Sequence, residues 1–66
     1  NEQVTMTWTS SPNRVYTVFY SDDGKFNFNS DVDDSVVSGG DTTTLTFSNP
    51  MPDSQRLFFR VSENRL

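Results

Sequence analysis

Sixty-six residues, 32% hydrophobic and 14% aromatic, suit a single domain whose core leans on aromatic rings, each of which removes roughly 150–250 Å² from water. A net charge of −4 with only five Lys and Arg leaves no basic stripe for a phosphate backbone and excludes a nucleic-acid module. The lack of cysteine and histidine removes disulfides, thiolate metal sites, the thiolate nucleophile and the commonest general base.

Helical periodicity is missing. No segment repeats apolar residues at i, i+3, i+4 and i+7, alanine does not occur, and Thr, Val, Phe, Ser and Asp dominate. The stretch VTMTWT alternates Val4, Met6 and Trp8 with threonines, the pattern of a half-buried strand with Thr on its wet face. SSPNR follows, with Pro12 pre-set for the second position of a β-turn and Asn13 tolerant of left-handed backbone. It predicts that the first strand folds back onto RVYTVFYS as an antiparallel hairpin. In that second strand Tyr16, Val18 and Tyr20 share one face, while Val15, Thr17 and Phe19 share the other.

SDDGK is a turn in which Gly24 supplies positive φ, and it predicts a third strand over KFNFN. Residues 30–41, SDVDDSVVSGGD, predict a loop followed by a short edge strand at Val36–Val37. TTTLTFS is strand-like, with Leu45 and Phe47 on one face, and the prolines of NPMPDS stop it. RLFFRVS closes the sheet with Leu57, Phe59 and Val61 on one face and Phe58 and Arg60 on the other, and the tail ENRL is expected to fray. A lone sheet would leave its aromatic face wet, so five to six short strands predict a small all-β antiparallel sandwich. Its expected core is Met6, Trp8, Tyr16, Val18, Tyr20, Leu45, Phe47, Phe59 and Val61.

Catalytic motifs are absent: there is no nucleophile elbow, phosphate-binding glycine loop or dinucleotide fingerprint. The pairs Asp22–Asp23 and Asp33–Asp34 resemble the carboxylates of glycosidases, but those need a cleft that so small a domain rarely builds, so no enzyme activity is expected. Asp31, Asp33 and Asp34, with Asp22, Asp23, Asn27 and Asn29 nearby, offer the oxygen ligands that calcium takes, without the EF-hand spacing. A solvated acidic loop that blunts an edge strand is the other reading. Phe19, Phe58 and Arg60 fall on the face opposite the expected core. If their strands are neighbours, they form an aromatic–cationic patch able to stack on a sugar ring or dock on a partner. Otherwise the two rings cover each other or are covered by the parent protein.

The series TWTSSPNRVYTVFYS, TTTLTFSNP and RLFFRVSE resembles a compact module found near the C-termini of secreted or surface multidomain bacterial proteins, whose fold is similar to a reduced fibronectin type III sandwich. The resemblance spans roughly residues 4 to 62 and rests on Trp8, Ser11, Pro12, Tyr16, Val18, Tyr20, Ser21, Phe58, Phe59, Arg60 and Val61. Phe26 or Phe28 stands where the module's third strand usually has tryptophan, and NSDVDDS is more acidic than the module's pattern. The resemblance implies a fibronectin/immunoglobulin-like fold excised from a larger chain, an extracellular or cell-surface location, and a non-catalytic accessory role beside a catalytic or adhesive neighbour. In many such parents the neighbour degrades polysaccharide, so carbohydrate and the adjoining domain are the expected partners. A ligand-free spacer and a calcium-stabilised module are the alternatives. The chain shows no leader and no apolar run approaching the roughly 20 residues of a membrane helix. A soluble piece without membrane insertion is therefore expected.

Overall fold

The structure is a computed structural model and describes residues 3–22, 28–54 and 56–64. It is all-β, with β1 (Gln3–Thr9), β2 (Val15–Ser21), β3 (Ser30–Val37), β4 (Thr42–Ser48) and β5 (Phe58–Glu63). Two antiparallel sheets form: β1 with β4, and β3, β2 and β5 in that order with β2 central.

The hairpin expected between the first two strands does not form, because β1 pairs with β4 and β2 lies in the other sheet. Burial explains the crossing. Met6 and Trp8 of β1 and Tyr16 and Val18 of β2 all need cover, and side by side in one layer they would leave each other's tops wet; in opposed layers they cover one another. The turn itself follows its residues: Asn13 takes φ +63°, and the Ser11 amide donates to the Tyr16 phenol oxygen at 2.8 Å, tying the crossover to the core ring.

The second departure is β3. A loop was expected over much of residues 30–41, but Ser30–Val37 is an eight-residue strand. Its register against β2 shifts twice, between Tyr16 and Val18 and again between Val18 and Phe19. Each bulge places one extra residue in β3, and because the two shifts together restore the parity, Val32 and Val36 both reach the core. Of the strand expected over KFNFN, residues 25–27 lie outside the described residues, while Phe28 and Asn29 precede β3 without belonging to a strand. The tail is also more ordered than expected. Glu63 ends β5 and the Asn64 amide donates to the Val15 carbonyl at 2.8 Å; Arg65 and Leu66 lie outside the described residues.

The core contains Tyr16, Val18 and Val36, buried to 6%, 0% and 6% exposure, with half-buried Met6, Trp8, Val32, Leu45, Phe59 and Val61 packed on it from both sheets. Edge-to-face ring pairs cross between the layers, Trp8 on Tyr16 at 5.9 Å and Phe47 on Phe59 at 5.3 Å. Tyr20 is half-buried opposite Phe59. Val32 and Val36 are core residues that lie outside the expected set.

Candidate functional site on the outer face of the three-stranded sheet

Val18 and Tyr20 share a face with the core residues Val61 and Phe59 opposite them. Phe19, one step along the strand, therefore looks out of the other face. Its cross-strand neighbours there are Asp31 in β3 and Arg60 in β5. Directly opposed positions set Cβ atoms about 4.5–5.5 Å apart, so a carboxylate, a phenyl ring and a guanidinium line up across the sheet in that order. Phe58 stands opposite Ser21 on the same face, diagonal to Phe19. Both rings are half-buried, while Asp31 and Arg60 are exposed. Arg60 has no ion-pair partner among the described residues; the pair that does form is Arg14 with Glu63 at 3.5 Å on the surface.

The three aspartates singled out for metal do not converge. Asp31 belongs to the row with Phe19, whereas Asp33 and Asp34 both turn to Ser35, one to its amide and one to its hydroxyl. Asp33 Oδ1 accepts the Ser35 amide at 2.9 Å, and Asp34 Oδ1 accepts the Ser35 hydroxyl at 3.1 Å. Among the described residues no group of three or more acidic side chains is arranged to hold an ion. Asp23 and Asn27 lie outside the described residues, and Asp22 is exposed at the end of β2.

A buried fastening beside the row, on the same face of β2, was not visible in the sequence. Thr17, 7% exposed, donates its hydroxyl to Asn64 Oδ1 at 2.6 Å, and Asn64 Nδ2 donates to the Asp34 carbonyl at 2.9 Å. One side chain just past β5 thus spans β2 and the bulge of β3 that lies between the Tyr16–Val36 and Val18–Asp33 pairs. No periodic signal marks Asn64, since it is a single polar residue just past a strand.

Two other features frame the molecule. At one end the Gly39 amide donates to Thr43 Oγ1 at 3.1 Å, the Thr43 hydroxyl lies 2.7 Å from Ser10 Oγ, and the Ser10 and Ser38 hydroxyls both donate to the Gly40 carbonyl. Each hydroxyl has one proton to give, so the chain runs from the Gly39 amide through Thr43 and Ser10 to the Gly40 carbonyl. It is a structural knot around a tight turn. At the other end Asp22 and residues 50–54 line an open hollow of about 320 Å³. Two carboxylates, Asp22 and Asp53, and the Pro50–Met51–Pro52 ridge define it.

Family models, curated proteins and solved structures yield no match to this chain.

Proposed function

We propose that the chain is a non-catalytic accessory module of a secreted multidomain protein whose partner domain degrades polysaccharide, and that it binds carbohydrate on the outer face of its three-stranded sheet. The observation that carries this reading is the cross-strand row of Asp31, Phe19 and Arg60. A pyranose ring offers an apolar C–H face edged by hydroxyls. A phenyl ring takes the first by stacking, while a carboxylate and a guanidinium on either side take the second with charge-assisted hydrogen bonds. Phe58 extends the apolar plate along β5.

The sheet order supports the fibronectin-like part of the proposal. An immunoglobulin-type sandwich sets its second and fifth strands side by side in one sheet, and its third beside its sixth in the other, with an added strand next to the third. Taking β1, β2, β3, β4 and β5 as the second, third, added, fifth and sixth strands reproduces both neighbourhoods. That assignment reads the module as a sandwich reduced to its central strands.

Titrating the protein with soluble oligosaccharides by calorimetry tests the reading. Phe19→Ala and Arg60→Ala are each expected to weaken binding about tenfold or less with little change in thermal midpoint. Absence of binding to a broad polysaccharide panel would instead favour a spacer without a ligand. A rise in melting temperature with calcium, reversed by chelator, would favour an ion-stabilised module.

A further inference from the structure

We infer that the outer edge of β5 accepts an extended strand from another polypeptide, one that sets apolar side chains beside Phe59 and Val61 and a carboxylate beside Arg60. The backbone directions follow from one hydrogen bond. The Asn64 amide donates to the Val15 carbonyl, so Asn64–Val15 is a hydrogen-bonded pair of the β2–β5 ladder. By antiparallel alternation Ser62–Thr17, Arg60–Phe19 and Phe58–Ser21 are hydrogen-bonded pairs too. The N–H and C=O groups of Phe59, Val61 and Glu63 therefore point away from β2, and no other described strand pairs with β5.

The opposite edge of the same sheet is protected. β3 is bulged at two places and its Ser35 amide is taken by Asp33. Bulges and self-satisfied backbone are the devices by which a strand refuses partners, and β5, whose register against β2 is unbroken, carries neither along 59–63 among the described residues. Its side chains also state what fits. Phe59 and Val61 are half-buried on the core face, so an incoming strand completes the core with apolar residues beside them. Arg60 on the outer face is exposed and has no ion-pair partner among the described residues, so a carboxylate beside it gains a cross-strand charge pair. The open edges of β1 and β4 run beside threonines and carry no such charge.

The test uses a short acetylated and amidated peptide that alternates valine with threonine and has glutamate at its centre, with NMR amide exchange as the readout. Binding is expected to protect the amides of Phe59, Val61 and Glu63 and leave those of Arg60 and Ser62, already in the ladder, unchanged. Glu63→Pro removes one outward donor and is expected to weaken the complex by roughly tenfold, whereas Glu63→Gln keeps that donor and binds like the parent. Exchanging glutamate for lysine in the peptide is expected to cost up to about fivefold. Arg60→Glu, which leaves every backbone donor in place, is expected to reverse that preference. Protection appearing at β1, β3 or β4, retained affinity in a folded Glu63→Pro protein, or an unreversed preference in Arg60→Glu would each overturn the inference. So would self-association that protects β5 without peptide, because the occupant would then be a second copy.

Discussion

The Thr17 hydroxyl reaches the Asn64 side-chain carbonyl at 2.6 Å from a position that is 7% exposed. The contact joins the centre of β2 to the residue just beyond β5, and through Asn64 Nδ2 it continues to the bulge of β3. Truncation by Asn64→Ala strands a buried hydroxyl, which costs about 1–3 kcal/mol. Asn64→Asp keeps the acceptor and loses the donor, so its loss is expected to be smaller. Urea midpoints of the two variants test this, and Thr17→Val in the Asn64→Ala background should recover part of the loss. Equal stability of Asn64→Ala and the parent would mean that the three-strand fastening contributes nothing.

The turn between β3 and β4 depends on two glycines for different reasons. Gly40 has φ +121°, where a side chain is strained whatever the space around it, and a Cβ on Gly39 would lie 3.0 Å from the Thr42 carbonyl oxygen. Gly40→Ala is expected to cost about 1–3 kcal/mol as backbone strain. Gly39→Ala must instead displace the Thr42 carbonyl, next to Thr43 of the Ser10–Thr43 hydroxyl chain, so loss of slow exchange at the Gly39 amide, which donates to Thr43, should accompany its destabilisation. A Gly40→Ala protein as stable as its parent would show that the turn can relax into another conformation.

The ladder between β1 and β4 explains why its outer face is threonine. The Ser10 amide bonds to the Asp41 carbonyl at 2.9 Å, which makes Thr5–Thr46, Thr7–Thr44 and Thr9–Thr42 the non-hydrogen-bonded pairs, those with the closer Cα atoms. Hydroxyls meet there at 3.0 Å for Thr5 with Thr46 and at 2.9 Å for Thr7 with Thr44. A double-mutant cycle with Thr7→Ala and Thr44→Ala is expected to give a coupling of about 0.2–1 kcal/mol, measured from unfolding free energies. Additive losses would reduce the ladder to two independent exposed side chains.

Trp8 combines a large apolar contribution with a polar cost. Its ring packs edge-on against Tyr16, but its buried Nε1–H has no acceptor among the described residues. Trp8→Ala is expected to cost about 3–5 kcal/mol. Trp8→Phe discards the orphan donor together with some volume, so its cost is expected to be less than half of that. Calorimetric unfolding separates the two, and a Trp8→Phe protein as unstable as Trp8→Ala would place an acceptor or a water at Nε1.

Alternation made much of the architecture legible. In VTMTWT, RVYTVFYS and RLFFRVS it separates Trp8, Tyr16, Val18, Phe59 and Val61, which meet in the core, from Phe19 and Arg60, which meet on the outer face. Alternation says nothing of partners, however. It assigns faces within a strand, and proximity along the chain then suggested a hairpin for β1, whose true partner begins at Thr42. In β3 the two bulges break the period itself, so SDVDDSVV looks like a loop although Val32 and Val36 anchor it. The place of Asp31 beside Phe19 depends on that irregular register, so the row of three was half readable: Phe19 and Arg60 from parity, Asp31 only from the pairing.

The order in which strands find partners has a consequence for synthesis. β1 waits for β4 and β2 waits for β5, so the two long-range pairings interleave along the chain, and among the described strands only β2 with β3 joins neighbours in sequence. As the polypeptide leaves the ribosome, a β2–β3 ribbon is all that can form before Thr42 emerges, and an isolated two-stranded ribbon is marginal in water. The first sheet closes with β4, yet the core keeps an open side until β5 arrives. A nascent chain stalled before Phe58 is therefore expected to remain protease-sensitive along its whole length, and one released past Asn64 to become resistant in a single step.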